Sequence, residues 1–225
     1  MLESLLQDIF IDVLNAEKLR FGAPPIPKNA PLRKEDINDS SFDIIDAKMD
    51  PETIKRPLGQ GIASYINGTA ENTHPLRFVC YDEYIKQFTY NDGLGHPTLN
   101  QLKDNFKTAD YVVYDMSDKK EYFIVHELST GRHDSKFREG KQQLSNTVHV
   151  LCECPVIKLF IASFSKRLCI LSITKENITS PLNMAAPFID DVWSVLPEVI
   201  SFNFGQIAKN GFEAYETLKV QLPNL

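Results

Sequence analysis

Residues 108–130 have the sequence TADYVVYDMSDKKEYFIVHELST, and this stretch decides the fold. Two short runs of β-branched and aromatic residues, 111–114 and 122–125, flank the turn-forming residues 116–119. The pattern is typical of two antiparallel strands joined by a short turn. We therefore predict a β-hairpin at the centre of the chain.

The sequence after the hairpin predicts a helix and then a second pair of strands. Asp134 or Ser135 can cap the start of a helix that ends before Pro155. Residues 156–164 and 167–173 are two further apolar runs separated by a polar pair, which predicts another hairpin. One face of the predicted helix carries Phe137, Lys141, Leu144, Val148 and Leu151.

The sequence before the hairpin predicts helices joined by an irregular segment. Apolar residues at spacings of three and four within residues 2–18 predict an N-terminal helix. Residues 22–74 are rich in Pro, Asn, Asp and Gly, so we expect an irregular connection with one short helix around 51–56. Amphipathic helices are expected over residues 75–88 and about 99–106.

The C-terminal part predicts two helices, broken near residues 205–211, that cover one face of the sheet. A chain of 225 residues is long enough for one full core, since domains usually have ~100 to 200 residues. We expect a single α/β domain over residues 1–225. Its parts are N-terminal helices and an irregular segment over 1–97, the core over 98–173, and C-terminal helices over 174–225.

Composition narrows the class of protein. The formal net charge of −6 disfavours non-specific coating of nucleic acid, because that affinity comes mainly from Lys and Arg at phosphates, although a local basic groove remains possible. No stretch approaches the ~20 apolar residues that a membrane-spanning helix needs. The chain also starts with acidic Glu3 and Asp8 and not with a basic signal segment. We therefore expect a soluble, cytoplasmic protein without a membrane partner.

Two carboxylates mark one end of the predicted hairpin. Asp110 opens the first strand and Glu127 lies near the end of the second, so their side chains can meet across adjacent strands. Carboxylate oxygens suit Mg²⁺, which proteins usually hold through one or two carboxylates while waters and substrate phosphates complete its coordination. The pair therefore predicts a site for a divalent cation, which is the main requirement of metal-assisted phosphodiester hydrolysis. The alternative is that each acid simply flanks a strand, as acids do in many α/β proteins.

This arrangement resembles the PD-(D/E)XK nuclease superfamily over about residues 98–173. That family has an Asp at the start of a strand, Glu-x-Lys on its hairpin partner, and then a helix and further strands. The resemblance implies a restriction-endonuclease-like mixed sheet flanked by helices, in which Asp110 and Glu127 hold Mg²⁺ or Mn²⁺. Ser129 stands where the family has its lysine.

Lys141 is the candidate replacement for that lysine. It lies on the helix stripe that should face the sheet, and a lysine is seldom buried there without a partner. Some members of the family relocate the lysine to this helix, and others place a Gln there, which Gln142 or Gln143 would match. The alternative is that the ammonium of Lys141 extends past the helix edge into water.

The resemblance also implies residues around this centre. Glu83 could be a further metal ligand on an upstream helix, or part of a solvated helix surface. His126 should point to the opposite sheet face from Glu127, because side chains alternate along a strand. The residues expected to bind substrate phosphates are Ser129, Arg132, Lys136 and Gln142.

Two functions are compatible with these residues. The first is a Mg²⁺-dependent nuclease that cleaves DNA, or RNA, with Asp110, Glu127 and Lys141 as catalytic residues. The second is a catalytically inactive protein of the same fold that binds a protein partner, a second copy of itself, or DNA without cleavage. Ser129 and the acidic balance of the chain favour the second function.

Overall fold

The computed structural model describes residues 2–20, 25–26, 28, 30–87, 107–131, 133–174 and 200–222. Within these ranges the chain is mixed α/β, with one large sheet, one small sheet, a two-stranded ribbon and flanking helices. The strands are β1 (Lys34–Ile37), β2 (Ser41–Ile44), β3 (Lys55–Arg56), β4 (Ala63–Ile66), β5 (Gly68–Thr69), β6 (Asn72–Thr73), β7 (Leu76–Cys80), β8 (Tyr111–Asp115), β9 (Tyr122–Thr130), β10 (Lys166–Thr174), β11 (Ile200–Phe202), β12 (Glu213–Glu216) and β13 (Lys219–Gln221).

The helices lie at the start of the chain and between the strands. A π-helical stretch (Leu5–Phe10) separates the first two helices, and a 3-10 turn (Ala47–Met49) follows β2. The α-helices are α1 (Leu2–Ser4), α2 (Ile11–Arg20), α3 (Tyr81–Lys86), α4 (His133–Glu153), α5 (Pro155–Ala162) and α6 (Gln206–Lys209).

The large sheet has seven strands in the order β1-β7-β8-β9-β10-β12-β11. Strands β7, β8 and β9 form an antiparallel meander, whereas β10 is parallel to both β9 and β12. Parallel neighbours need a long crossover connection, which α4 and α5 provide between β9 and β10. The centre of the sheet therefore changes from antiparallel to parallel pairing at β9.

The two faces of the large sheet are covered differently. Helices cover one face, where Phe123 and Val125 of β9 belong to the same buried cluster as Leu144 and Val148 of α4. The opposite face packs against the small sheet, whose strand order is β13-β4-β2-β3. Strand alternation sends successive side chains of β9 into one layer and then the other.

The predicted central hairpin and the helix after it are confirmed. Strands β8 and β9 pair antiparallel from Tyr111 opposite His126 to Tyr114 opposite Phe123, and α4 extends to Glu153. The N-terminal helical prediction also agrees with the helical residues Leu2–Arg20. These segments have strong local patterns, so their structure is visible without knowledge of distant partners.

The predicted second hairpin is wrong. Its first half is the helix α5, which has Pro155 in its first turn and buries Ile157, Phe160 and Ile161. Only its second half is a strand, β10, and that strand pairs in parallel with β9. A continuous apolar run of this length fits a buried helix as well as a strand, so periodicity alone favoured neither.

The flanking predictions need further corrections. Residues 22–74, expected to be irregular with a helix around 51–56, contain β1 to β6 and a 3-10 turn at 47–49. The helix expected from residue 75 is the strand β7 followed by the short helix α3. Of the two C-terminal helices expected within 174–225, the first lies largely outside the described residues, and over 200–222 the chain forms β11, α6, β12 and β13. The helix predicted at 99–106 lies outside the described residues.

Candidate functional site

Asp110 and Glu127 meet at one end of the large sheet. Tyr111 is opposite His126 in the β8–β9 register, so Asp110 lies beside Glu127 one step further along. The Asp110 backbone N–H donates to Glu127 Oε2 at 3.2 Å, and the Leu128 N–H donates to Asp110 Oδ2 at 2.9 Å. The predicted meeting of the two carboxylates across adjacent strands is therefore what the hairpin produces.

Both carboxylates lie in an environment that disfavours their charge. Burial raises the pKa of Asp110 to about 7, and the nearby carboxylates of Asp46 and Asp82 act in the same direction. Burial, followed by repulsion from Asp110, raises the pKa of Glu127 well above its ordinary value. Two acids that repel each other in a buried place bind a proton or a cation more tightly than exposed acids do. Strongly shifted pairs of this kind are enriched at functional sites.

A third carboxylate, Asp82 of α3, lies at the same end of the sheet. It is 6% exposed, and its Oδ1 accepts a hydrogen bond from Thr108 Oγ1 at 3.3 Å. Its charge acts on both Asp110 and Glu127 and raises the pKa of each. The helix α3 begins directly after β7, and the Tyr81 N–H donates to the Asp110 carbonyl at 2.9 Å. The junction of β7 and α3 therefore holds Asp82 near the pair.

Lys48 contributes a cation to this acidic cluster. Its Nζ lies 3.2 Å from Asp82 Oδ2 and 3.8 Å from Asp46 Oδ2. Burial alone would lower the pKa of Lys48, but the carboxylates of Asp82 and Asp46 outweigh it and raise this pKa. The charge of Lys48 also acts on Asp110 and Glu127, whose pKa values would be higher without it.

Lys141 does not join the carboxylate pair. Its Nζ lies over two aromatic rings, 4.5 Å from the ring centre of Phe137 and 5.3 Å from that of Phe204. Cation–π contacts of this geometry hold an ammonium without a carboxylate partner. Within the described residues, no hydrogen bond or ion pair links Lys141 to Asp110 or Glu127. The side chain is half-buried, as a stripe position predicts, but it faces aromatic side chains.

The other predicted site residues are dispersed. Glu83 is paired with Arg33 at 3.5 Å, whereas its neighbour Asp82 is the acid that reaches the cluster. Lys136 is paired with Glu139 at 3.1 Å in the first part of α4. Gln142 donates to Asn146 Oδ1 at 2.7 Å on an exposed helix surface.

Two substrate-binding predictions remain close to the strand end. Ser129 follows Glu127 by two residues on β9, and its carbonyl accepts from Thr174 Oγ1 at 3.5 Å. Arg132 lies outside the described residues. The related candidate Gln143 donates from Nε2 to the Thr108 carbonyl at 3.2 Å, which ties α4 to the start of β8.

The donor set fits a divalent cation held by two carboxylates. Among the residues that the structure describes, no three His, Cys, Asp or Glu side chains converge closely enough to enclose a metal ion. Asp110 Oδ1 and Glu127 Oε1, however, accept no hydrogen bond from the described residues, so one oxygen of each carboxylate remains available. Mg²⁺ commonly uses one or two carboxylates and keeps waters or substrate phosphates as its other ligands.

Sequence reasoning missed Asp82 and Lys48. In the sequence, Asp82 stands out only as the neighbour of Glu83. To choose Asp82 over Glu83 as the acid near the pair, one would need to know that a strand ends and a helix begins at Tyr81. Lys48 lies in the segment predicted to be irregular, more than fifty residues before Asp110, so no local motif connects it with the pair. Its Asp-x-Lys neighbour pattern with Asp46 is too common to carry a prediction.

Comparisons with known proteins leave the site as the main guide to function. No family model, curated protein or solved structure matches the chain. Within the described ranges, no single helix is long and apolar enough to cross a membrane. The helices α4 and α5 are long and apolar enough only when they are taken together, and the chain bends by 110° between them.

The chemical capacity of this end of the sheet follows from its charges. Asp110 and Glu127 can bind a divalent cation or share a proton, and Asp82 increases the negative potential that favours either outcome. Lys48 offers a positive charge at the edge of the same cluster. An acidic cluster with an ammonium at its edge is an arrangement in which a bound cation and the ammonium can both stabilise developing negative charge.

Proposed function

We propose that this protein is a metal-dependent nuclease that hydrolyses phosphodiester bonds of DNA, at a site formed by Asp110 and Glu127. The observation that carries the proposal is the meeting of these two carboxylates in buried positions across β8 and β9. Their raised pKa values mean that the free energy of holding both charges is unfavourable until a cation compensates them. RNA is the alternative substrate with the same phosphodiester chemistry.

The order of elements supports the proposal. Asp110 stands at the start of β8, Glu127 stands on the hairpin partner β9, and α4 and the parallel strand β10 follow. This is the order that the resemblance to the PD-(D/E)XK superfamily implies, and we propose the restriction-endonuclease-like fold on that basis. The small sheet that covers one face is an addition to the expected pattern.

The roles of the chain's own residues follow from their positions. Asp110 and Glu127 would hold Mg²⁺ or Mn²⁺ through the oxygens that accept no backbone hydrogen bond. When bound, the cation would activate a water molecule and stabilise negative charge on the scissile phosphate. The backbone N–H groups of Asp110 and Leu128 fix the orientation of the two carboxylates before substrate arrives. Lys141 is not assigned a catalytic role, because its ammonium lies over Phe137 and Phe204.

The test is cleavage of single-stranded and double-stranded DNA and RNA by the purified chain in Mg²⁺ or Mn²⁺. We expect cleavage of DNA that EDTA abolishes and that the substitution Glu127→Gln lowers by at least ~100-fold, because half of the carboxylate pair is lost. Glu71→Gln is the matched control, since Glu71 is exposed and lies in the turn between β5 and β6. Its cleavage rate should equal that of the native chain.

Two outcomes would overturn the proposal. The first is an absence of cleavage of all four substrates in either metal, which would favour the inactive binding protein. The second is cleavage that Glu127→Gln leaves unchanged, which would assign the activity to another site. Binding of Mn²⁺ to the native chain and not to Glu127→Gln, measured by electron paramagnetic resonance, checks the metal site independently of cleavage.

A further inference from the structure

A loop from the small-sheet side of the molecule brings a cation to the carboxylate site. We infer that Lys48, carried by the segment Ile45–Asp50, contacts the substrate phosphate, and that Arg33 is the positioning residue for Lys48. The inference rests on the proposed function, because it gives that site the positive charge that Ser129 does not supply.

The position of Lys48 leaves it able to bind a phosphate. Its side chain is 52% exposed, whereas the side chain of its partner Asp82 is 9% exposed. An ammonium has three N–H donors, and Asp82 at 3.2 Å occupies one of them, while Asp46 at 3.8 Å lies beyond hydrogen-bond distance. Asp82 is also contacted by Lys86, so this carboxylate has a second cation and does not depend on Lys48.

The segment that carries Lys48 is held by its backbone. The Lys48 N–H donates to Asp46 Oδ1 at 3.0 Å, which closes the 3-10 turn. Arg33 spans this turn, because its Nη1 donates to the Ala47 carbonyl at 2.8 Å and its Nη2 donates to the Asp50 carbonyl at 2.6 Å. One guanidinium therefore fixes both sides of the residue that bears the ammonium.

Two further contacts tie this segment to the site itself. The hydroxyl of Tyr111 donates to the Ile45 carbonyl at 2.5 Å, and Tyr111 directly follows Asp110 in the chain. The Arg33 carbonyl accepts from the Cys80 N–H at 3.0 Å, and Cys80 is the last residue before α3. The segment that carries Lys48 is therefore held by the end of β7 and the start of β8, which also position Asp82 and Asp110.

The charges of the cluster explain why a phosphate needs this lysine. Asp46 and Asp82 act electrostatically on Asp110, and Asp82 and Asp110 act on Glu127, so the cluster as a whole repels an approaching anion. Lys141 lies over aromatic rings and Ser129 has no charge, so neither offsets this repulsion. Lys48 is a compact, solvent-accessible positive charge at the edge of the cluster, which is the kind of group that binds a phosphate oxygen.

The first experiment measures DNA binding without cleavage. Affinity for a duplex oligonucleotide is measured by fluorescence anisotropy in EDTA over a range of salt concentrations, in the native chain and in Lys48→Met. Each phosphate contact contributes ~0.9 to the slope of log affinity against log salt, so we expect Lys48→Met to reduce the slope by about one. Lys55→Met is the matched control, because Lys55 pairs with Asp39 on the small sheet and is similarly exposed. Its slope should not change.

The second experiment measures cleavage kinetics. We expect Lys48→Met to lower kcat by ~100-fold or more, measured at a metal concentration that saturates each variant, because Lys48 also acts electrostatically on the two carboxylates. Arg33→Gln should lower kcat by ~10-fold, because it releases the Ala47 and Asp50 carbonyls and frees Lys48 from its position. In the Lys48→Met background, Arg33→Gln should have no further effect on kcat, which distinguishes positioning from a general loss of structure.

The outcomes separate this inference from the proposed function. An unchanged salt slope, or an unchanged kcat, in Lys48→Met overturns the role of Lys48 even when the native chain cleaves DNA. An equal additional loss of kcat from Arg33→Gln in both backgrounds overturns the positioning role of Arg33. A further outcome is that the native chain fails to cleave DNA while Lys48→Met still reduces the slope of log affinity against log salt by about one. That result overturns the nuclease and supports Lys48 as a phosphate contact.

Discussion

His126 and Glu127 are neighbours on β9, yet they face opposite layers and differ in how well their polar groups are satisfied. His126 faces the small sheet, where its Nδ1 lies 2.7 Å from the Tyr65 hydroxyl and its Nε2 lies 2.9 Å from Ser172 Oγ. Ser172 in turn donates to the Thr217 carbonyl at 2.5 Å. Because that hydroxyl hydrogen is used, Nε2 carries the imidazole hydrogen and Nδ1 accepts from Tyr65.

The two residues differ in how the protein compensates their buried polar groups. The hydrogen bonds of His126 are complete with the imidazole neutral, and burial lowers its pKa to about 3. Glu127 has a raised pKa, because it is buried beside Asp110 and the charge of Lys48 offsets this effect only in part. Complete buried networks fix a unique packing, whereas incomplete compensation of charge is retained where a ligand can supply the rest.

The largest expected change in the free energy of unfolding comes from removing the His126 imidazole, whose hydrogen bonds are complete. His126→Ala removes the acceptor of the Tyr65 hydroxyl and the N–H that Ser172 Oγ accepts, and it opens a cavity between the two sheets. We expect it to lower the free energy of unfolding by about 3 kcal/mol, measured by urea denaturation at pH 7. His149→Ala, on the outer side of α4, is the control and should change it by less than about 0.5 kcal/mol. Equal losses from the two variants would contradict the contrast.

Glu127→Gln should raise the free energy of unfolding at high pH, whereas His126→Ala lowers it. The folded pKa of Asp110 is about 7 and its ordinary value is 3.8, so the native state retains protons that the unfolded state loses, and stability falls as pH rises from about 4 to about 7. Removing the neighbouring charge should therefore raise the free energy of unfolding by roughly 2 kcal/mol at pH 8. The gain should vanish below about pH 3, where both acids are largely protonated in both the folded and the unfolded state. A loss of stability at pH 8 would mean that the pair is already compensated.

Mn²⁺ should stabilise the native chain by binding the pair. At a concentration ten times Kd, mass action contributes about 1.4 kcal/mol, which corresponds to a rise in Tm of roughly 3 to 6 °C. Protons compete for the same oxygens, so the rise should shrink as pH falls from 8 to 5. Calorimetric scans of the native chain and Glu127→Gln check this, and an equal rise in both would place the ion elsewhere.

The smallest loss of unfolding free energy is expected from removing the Tyr65 hydroxyl, which is one hydrogen-bond partner of His126. Tyr65→Phe removes the donor to His126 Nδ1 but keeps the ring that stacks on Phe42. We expect a loss of about 1 kcal/mol, the usual net value of one buried hydrogen bond. Tyr215→Phe, whose hydroxyl contacts Glu213 at the surface, should lose less. Urea denaturation of the two variants side by side measures the difference.

The sequence predicts the pair because the information is local. The two runs of β-branched and aromatic residues, 111–114 and 122–125, and the turn between them indicate the β8–β9 hairpin. Its register brings Asp110 beside Glu127, and strand alternation turns His126 away. The helix α4 is equally visible, because its apolar stripe extends over several turns. For these elements the local pattern and the tertiary structure agree.

The rest depends on contacts between distant parts of the chain. The short strands β2, β3 and β4 have little propensity pattern of their own and are stabilised by pairing with one another and by packing against the large sheet. Lys48 lies between two of these strands and reaches Asp82 only when they are folded. A local sequence pattern therefore cannot place Lys48 near the carboxylates. Lys141 was misleading for a related reason, since the aromatic partner Phe204 lies far along the chain.

The pairing of β4 with β13 has a consequence for the order of synthesis. The small sheet that carries the Lys48 segment has β13 (Lys219–Gln221) as one edge strand, and the Tyr122 hydroxyl donates to the Leu222 carbonyl beside it. A nascent chain on the ribosome cannot complete this sheet until residues 219–222 have been made. The carboxylates of β8 and β9 are made much earlier, so the support of Lys48, the proposed phosphate contact, is assembled last. An incomplete translation product would therefore contain the acids without a fully supported cation.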